Sequence, residues 1–423
     1  MTNNLKTLMQ NCKHIFKSGK NAGKQCSTKP RNDYLYCYAH RSKDGIGILK
    51  SFKVLRLIGT GEFGKIFLVE KTNGVDNGAL YAMKIVSNKN EKTMSKTLTE
   101  FTILNILKNI DHPFFLKLHY SFKVKNRVYF VMDFIQGGDL FTYLCRNKLS
   151  KNSVRYLAAQ IILALEELHN HNIIYRDLKL ENILLDNEGN VILADFGLSV
   201  MGRHSSGFCG TRSYMAPEMF NNTIYTFMID WYSLGVLILE MVTGRQQGQD
   251  EDYSYYEEKE GYDKEGYDKE GYDEKEGYDE KEGYDEKEGY DEKEGYDENE
   301  EGSKRKYKYC KPGIPCNLSH EIKDLLRKLL EEDPRKRLGA KGTQQIKNHP
   351  FFRHVKWDLV KEKVYSAPLG DGDGPRITNK YDVGNFEDEF IDQNINKFND
   401  YFKGRVTTSS FYFNKNDFMD SVN

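Results

Sequence analysis

The chain has 423 residues and a formal net charge of −1, with 62 Lys and Arg against 63 Asp and Glu. No apolar run approaches the ~20 residues that a membrane-spanning helix needs, and the N-terminus lacks the apolar core of a secretory signal. Seven cysteines, an odd number, favour reduced thiols over a disulfide framework. We therefore expect an intracellular protein without a membrane span, in the cytoplasm or the nucleus.

The near-zero net charge hides a basic arm and an acidic segment. Residues 1–43 hold nine Lys or Arg and one Asp, whereas residues 251–300 hold 24 acidic and 7 basic side chains. The acidic segment consists of Gly-Tyr-Asp repeats with periods of five and six, which match neither a helix nor a strand. Low apolar content and strong negative charge predict that this repeat is disordered.

The basic arm, residues 1–45, carries residues that could close a tetrahedral zinc site: Cys12, Cys26, Cys37 and His40, with His14 as a fifth candidate. Metal could stabilise a segment that is too short to build its own core. The alternative is a solvated basic tail that happens to contain three cysteines. The arrangement is similar to small Cys/His modules of large DNA viruses, which implies a viral source. Basic residues beside tyrosines also make nucleic acid a candidate partner of this arm.

Residues 58–69 read IGTGEFGKIFLV and contain G-x-G-x-x-G. The motif alone fits either a dinucleotide-binding turn or a loop that covers phosphates. A dinucleotide fingerprint opens a helix, whereas the apolar residues after Gly64 favour a strand. We therefore predict a glycine hairpin whose backbone N–H groups approach phosphates without interference from Cβ atoms. The next apolar strand, residues 80–86, contains Lys84, which predicts an anionic partner because a buried lysine is costly unless paired.

The central stretch, residues 174–185, reads IYRDLKLENILL and is followed by an ADFG run. Asp177 and Asn182 lie five residues apart, and Asp195 follows thirteen residues later. The turn-forming cluster at 186–190 predicts a short hairpin that brings these three side chains together. Carboxylate and amide oxygens suit a site that accepts a proton and binds magnesium beside phosphates.

These motifs, in this order, resemble the H-R-D-L-x-x-x-N and D-F-G motifs of eukaryotic protein kinases. Tyr175 stands in the His position, as is common in the AGC group of serine/threonine kinases. The resemblance to protein kinases covers residues 52–244 and 319–390. Details around residues 71–86 and 139–144 resemble in particular the N-terminal kinase domain of ribosomal-S6 and mitogen- and stress-activated kinases. The resemblance implies an α+β, bilobal kinase fold with a small β-rich N-lobe and a helical C-lobe. It also implies transfer of the ATP γ-phosphoryl group to Ser or Thr hydroxyls of protein substrates.

The resemblance assigns roles residue by residue. Asp177 would be the catalytic base and Lys179 would neutralise charge on the transferring group. Asn182 and Asp195 would bind Mg2+, and Lys84 would pair with Glu100. The alternative interpretation of Glu100 is an exposed glutamate on a helix face. Met132 would be the gatekeeper, and Asp139 would reach the ribose or a substrate arginine. The residues expected around ATP are Ile58, Gly59, Thr60, Gly61, Glu62, Phe63, Gly64, Lys65, Ile66, Ala82, Lys84, Glu100, Met132, Asp133, Ile135, Asp139 and Leu184.

One departure from the family lies in the activation segment. AGC kinases usually carry a phosphorylatable Thr just before Phe-Cys-Gly-Thr, and this chain has Gly207 there. A phosphate at that position would bind Arg176 and order the segment. Either Ser205 or Ser206 substitutes, or the segment is ordered without phosphate, or activity is low. We favour a phosphate-independent or Ser206-dependent enzyme.

The resemblance also predicts two structural contacts in the C-lobe. Glu218 should pair with Arg337, and Asp230 should anchor the catalytic loop from a buried helix. Glu181 follows the AGC pattern of an acidic site, which favours basic, Arg-containing substrates. No second kinase domain is expected, because the chain ends.

The predicted organisation is a basic Cys/His arm (residues 1–45), an N-lobe (52–135), a C-lobe (136–355) that is interrupted by the acidic repeat (246–305), and an AGC-type tail (356–423). We expect a monomeric enzyme. The competing interpretation is a catalytically weak, kinase-like scaffold that binds partners through the acidic repeat and the basic arm. Degraded catalytic residues would favour the scaffold, and none is degraded in this sequence.

Overall fold

The computed structural model describes residues 49–61, 64–87, 91–124, 126–221, 223–244, 309, 311–364, 375 and 377–386. The proposed zinc ligands and the acidic repeat lie outside these ranges, as do Glu62 and Phe63. Among the described residues, no helix combines the length and the apolarity needed to cross a membrane.

The first lobe is one antiparallel sheet with the strand order β1-β2-β3-β5-β4. Its strands are β1 (Phe52–Gly61), β2 (Gly64–Lys71), β3 (Leu80–Ser87), β4 (Leu118–Val124) and β5 (Arg127–Asp133). Side chains alternate between the two faces of a strand, so Met83 and Ile85 of β3 join one apolar cluster while Val86 joins another. Since both faces of β3 are covered, the strand is apolar almost throughout and Lys84 is buried within it.

Helix α1 (Glu91–Lys108) accompanies this sheet, and its apolar residues Ile103 and Leu104 share a cluster with Phe130 of β5. The second lobe is mostly helical. Its helices are α2 (Leu140–Arg146), α3 (Lys151–Asn170), α4 (Pro217–Phe220), α5 (Met228–Thr243), α6 (His320–Leu329), α7 (Gln344–Lys347) and α8 (Trp357–Lys361). It also contains short strands that form two antiparallel pairs, β6 (Ile173–Ile174) with β9 (Val200–Met201) and β7 (Ile183–Leu185) with β8 (Val191–Leu193).

Two helices form the centre of the second lobe. The Ser150 side chain begins α3 by accepting a bond from the backbone N–H of Ser153 at 3.1 Å, a normal N-cap. Helix α5 is buried at 14 of its 16 residues, and it ends where Gly244 adopts φ 66°, a conformation that glycine takes without strain. The two-lobed α+β fold expected from the sequence is confirmed.

Candidate active site

Lys84 lies between two carboxylates that come from different parts of the chain. Its Nζ atom is 2.7 Å from Glu100 Oε1 on α1 and 2.8 Å from Asp195 Oδ1. Lys84 and Glu100 are buried, whereas 39% of the Asp195 side-chain surface remains exposed. The backbone N–H of Gly197 donates a further bond to Asp195 Oδ1 at 3.1 Å. The anionic partner that the sequence predicts for Lys84 is therefore present as two carboxylates.

The charges at this contact stabilise one another. Burial opposes the charge on Lys84, but the two carboxylates outweigh it and raise the pKa of Lys84. Burial opposes the charge on Asp195 too, yet the nearby ammonium group lowers the pKa of Asp195. Burial raises the pKa of Glu100, and Lys84 offsets only part of that effect. The site thus keeps an ionised Asp195 beside a protonated Lys84 near neutral pH.

The loop before Asp177 is anchored from the buried helix α5. Asp230 accepts bonds from the backbone N–H groups of Tyr175 at 3.0 Å and Arg176 at 2.9 Å. His169 Nε2 lies 2.8 Å from the same carboxylate. Arg176 adopts φ 70°, a conformation that L residues rarely take, and the Asp230 contacts help to hold it. The expected anchoring contact between α5 and this loop is present.

The Asp177 carboxylate is held by neighbours on both sides. Asn182 Nδ2 donates to Asp177 Oδ2 at 3.0 Å and to the Asp177 carbonyl at 2.7 Å. Thr211 donates to Asp177 Oδ1 from its backbone nitrogen at 3.1 Å and from its hydroxyl at 3.0 Å. Lys179 Nζ lies 3.5 Å from Asp177 Oδ2 and donates to Thr211 Oγ1 at 3.1 Å. A carboxylate fixed in this way has one defined orientation.

One cavity of about 650 Å³ contains most of these groups. Gly64 and Lys65, expected around ATP, do not line it, and Glu62 and Phe63 lie outside the described residues. The sequence-predicted residues that line it are Ile58, Gly59, Thr60, Gly61, Ile66, Ala82, Lys84, Glu100, Met132, Asp133, Ile135, Asp139, Asp177, Lys179, Asn182, Leu184 and Asp195. The structure therefore gathers the motifs of both lobes around one volume.

Two further carboxylates line the cavity, those of Asp139 and Glu181. Asp139 caps α2, because its oxygens accept bonds from the Thr142 backbone N–H at 2.8 Å and the Thr142 hydroxyl at 2.9 Å. Burial raises the pKa of both Asp139 and Glu181. A cation bound beside them would lower the pKa of both carboxylates, since a positive charge favours the ionised form.

Sequence reasoning did not single out Phe386 and Thr211 as residues of the cavity. Phe386 stacks on Phe134 with ring centroids 5.7 Å apart. Tail contacts hold it there, since Arg146 Nη1 donates to the Gly384 carbonyl at 2.6 Å and Asn385 Nδ2 to the Gln136 carbonyl at 3.1 Å. The predicted AGC-type tail, residues 356–423, includes Phe386 and was the available signal for it, but that prediction did not identify which tail residue lines the cavity.

Within the part of the chain that the structure describes, no group of three or more His, Cys, Asp or Glu side chains is arranged to hold a metal ion. The candidate zinc ligands Cys12, Cys26, Cys37 and His40 lie outside that part.

Comparison with known proteins agrees with this geometry. Residues 52–352 match the family model described as "Protein kinase domain". Human ribosomal protein S6 kinase alpha-4 is 36% identical over 355 residues, which cover 81% of this chain and 40% of that protein. Human ribosomal protein S6 kinase alpha-2 is 35% identical over 361 residues, 83% of this chain and 42% of that protein. Zebrafish (Danio rerio) ribosomal protein S6 kinase alpha-6 is 36% identical over 330 residues, 76% and 38% of the two chains.

The chain thus spans about two fifths of the length of the curated relatives it matches. The match to the family model covers most of the chain, and it includes residues of both lobes that line the cavity. Similarity to ribosomal protein S6 kinases agrees with the AGC-type pattern read from the sequence. The chain therefore belongs to the protein kinase family.

Proposed function

We propose that this protein is an AGC-type serine/threonine kinase, which transfers the γ-phosphoryl group of ATP to Ser or Thr hydroxyls of protein substrates. The observation that carries the proposal is the bridge from Glu100 through Lys84 to Asp195, in one cavity with Asp177. Phosphoryl transfer is catalysed mainly by positioning and by neutralising charge. The four side chains supply fixed charges of both signs for that purpose.

In this proposal Asp177 receives the proton of the acceptor hydroxyl. Its orientation is fixed by Asn182 and Thr211, so its carboxylate does not have to reorient during the reaction. Lys179 lies beside it and places a positive charge close to the position of the transferring group. Lys84 holds the phosphates from strand β3, where its own charge is maintained by two carboxylates.

A protein kinase domain implies ATP and Mg2+. The donor chemistry of the cavity fits magnesium, which prefers oxygen ligands. The Asn182 amide nitrogen bonds to Asp177, so its amide oxygen is the atom that can face a cation, and the Asp195 carboxylate is partly open to the cavity. Asn182 and Asp195 would hold the ion, which would neutralise phosphate charge.

We further propose basic, Arg-containing substrates. Glu181 and Asp139 line the same cavity, and burial raises the pKa of each carboxylate. A substrate guanidinium would favour their ionised forms and form charge-assisted bonds. Because both Asp139 oxygens are engaged by Thr142, Glu181 is the better candidate for direct contact.

The test is phosphotransfer from labelled ATP to a positional peptide library, using the full chain. Asp195→Ala should reduce the rate by about 10²-fold or more, because it removes a carboxylate that would hold Mg2+ beside the phosphates. The matched control is Asp324→Asn, a carboxylate that pairs with Lys328 and His349 outside the cavity, and it should leave the rate unchanged. Equal rates for wild type and Asp195→Ala would refute the proposed catalysis and favour the scaffold interpretation.

The remaining expectations are also proposals. We infer that residues 1–45, which lie outside the described residues, can bind zinc and are a candidate contact for nucleic acid. The alternative is a solvated basic tail. We also infer that the protein is a monomer in the cytoplasm or nucleus. The zinc content of the purified full chain, compared with a Cys12→Ser and Cys37→Ser double variant, would test zinc binding. About one zinc per chain in the wild type only would support it.

A further inference from the structure

Arg176 contacts the activation segment next to Gly207, the position where AGC kinases usually carry a phosphorylatable Thr. Gly207 has no hydroxyl, and it adopts φ 95°. Arg176 nevertheless has neutral partners in this region. Its Nε donates to the Leu198 carbonyl at 2.6 Å, and its Nη1 lies 3.1 Å from Ser205 Oγ and 3.3 Å from the Tyr225 hydroxyl. Uncharged oxygens therefore occupy donors that a phosphate would otherwise engage.

Tyr225 makes most of the connections in this region. Its backbone N–H and C=O pair with those of Ser205, both at 2.9 Å. Its hydroxyl lies 3.2 Å from the Ser206 carbonyl and 3.0 Å from the Gly207 carbonyl, so it donates into the turn while accepting from Arg176. Tyr225 is only 3% exposed. Burial raises the pKa of Tyr225, so the phenol keeps its proton near neutral pH.

The same segment continues to the catalytic carboxylate. A Cβ atom added at Gly210 would lie 2.6 Å from the Arg176 carbonyl, which means that the two backbones are in close contact. One residue later, Thr211 donates two bonds to Asp177. Displacement of the turn at Ser206 and Gly207 would therefore affect the contacts that orient Asp177.

We propose that Tyr225 is a positioning residue which, by bridging Arg176 and the turn at Ser206–Gly207, orders the activation segment without phosphorylation. The inference deepens the proposed kinase function and rests on it. Of the two neighbouring serines, Ser205 contacts Arg176 through its hydroxyl, whereas Ser206 is exposed and bonds to Tyr225 through its backbone carbonyl. Neither contact requires a phosphate.

The first experiment removes phosphate from the purified full chain with a protein phosphatase and verifies the result by mass spectrometry. Phosphotransfer should stay within about twofold of the untreated rate, because the acceptors of Arg176 are neutral protein groups. Ser206→Ala should behave like the wild type. Loss of most of the activity after phosphatase treatment, or in Ser206→Ala, would overturn the proposal in favour of phosphate control.

The second experiment compares Tyr225→Phe with the wild type after the same treatment. Loss of the hydroxyl should lower kcat by about tenfold, as expected when a charged donor loses a partner. The KM for ATP should change by less than about twofold, since the partners of the hydroxyl are not among the residues expected around ATP. Tyr156→Phe is the matched control, because it also removes a buried tyrosine hydroxyl, one that bonds to Asn190, and it should leave kcat unchanged.

A rescue variant separates positioning from general destabilisation. Ser205→Asp in the Tyr225→Phe background offers Arg176 a charged acceptor and should restore several-fold of the lost kcat. Full activity of Tyr225→Phe, or a loss that Ser205→Asp does not restore, would overturn the proposal. A wild-type rate equal to that of Asp195→Ala would instead remove the proposed kinase function itself, so the two failures are distinguishable.

Discussion

Two buried cations of this protein have very different surroundings. Arg337 forms two bonds with Glu218, at 2.7 and 2.9 Å, and donates to the carbonyls of Glu331 and Met228 at 2.8 Å each. Lys84 instead lies between Glu100 and Asp195, and the second of these carboxylates is partly open to the 650 Å³ cavity.

The difference separates a structural ion pair from a functional one. The planar fork of an arginine matches a carboxylate and leaves little charge unpaired. Arg337, which follows α6 in the chain, therefore holds Glu218 of α4 without reaching a ligand. The ammonium group of Lys84 is a compact charge at the cavity wall. A buried ion pair thus indicates function when one of its partners also faces a cavity.

Arg337→Met tests the structural half of the comparison and should have the largest effect. Removing one partner of a buried pair leaves Glu218 uncompensated, so the free energy of unfolding should fall by about 3–5 kcal/mol. Urea denaturation measures this change. The exposed Arg335, paired with Asp333, provides the control, and Arg335→Met should leave the free energy of unfolding almost unchanged. Equal effects of the two substitutions would contradict the comparison.

Lys84→Met tests the functional half. Phosphotransfer should fall by about 10²–10³-fold, because a charge that acts on the phosphates is lost. Lys71→Met is the matched control: Lys71 is also a buried lysine of the sheet, but its partner Asp76 does not line the cavity. The rate of Lys71→Met per folded molecule should equal that of the wild type. A similar loss of rate in both variants would mean that the removal of a buried lysine causes the effect, whether or not the lysine lines the cavity.

His112 extends the comparison to a buried histidine whose Nδ1 atom has no hydrogen-bond partner among the described residues. Burial lowers its pKa from 6.5 to about 4, and Lys361 adds to the effect. Between these values the unfolded chain binds more protons, so the free energy of unfolding should fall as pH drops from 6.5 to about 4, by up to about 3 kcal/mol. Denaturation curves across this range should show a smaller pH dependence for His112→Asn, whereas substitution of the exposed His354 by Asn should leave the dependence as in the wild type. An unchanged slope in His112→Asn would refute this assignment.

Phe386→Ala should have the smallest effect, because it removes an aromatic contact at the edge of the cavity and no charge. Loss of the stack on Phe134 should raise the KM for ATP by about two- to tenfold with kcat unchanged. Steady-state kinetics at varied ATP concentration measures this effect. Lys380→Ala, an exposed neighbour in the same tail segment, should leave the KM unaltered. A fall in kcat without a change in KM would place the tail in the transfer step.

Much of the fold could be predicted because the motifs are short and ordered. The apolar strand around Lys84 and the hairpin between Asn182 and Asp195 follow from local patterns and are present in the structure. The pairing of Glu218 with Arg337 was predicted from the resemblance to protein kinases and is also present. The roles assigned to the cavity residues stay predictions.

Contacts between distant segments could not be predicted from local patterns. Nothing in the sequence around Tyr225 indicates that its hydroxyl meets Arg176, 49 residues earlier. The Asp-x-x-Thr spacing at residues 139–142 could have predicted that Asp139 caps α2. The resemblance instead assigned Asp139 to the ribose or a substrate arginine. The packing of whole helices and strands decides which side chains meet in such contacts, so these partners can be identified only from the three-dimensional structure.

The backbone at Gly207 also bears on how regulation could change during evolution. Its φ of 95° favours glycine, although no atom lies within 4 Å of a Cβ built there. A threonine would fit in space but would strain the chain, so one substitution would not restore a phosphorylation site in the present conformation. A second change would have to reshape the turn that Tyr225 now holds. A single substitution at Gly207 would therefore not place the segment under the control of an upstream kinase.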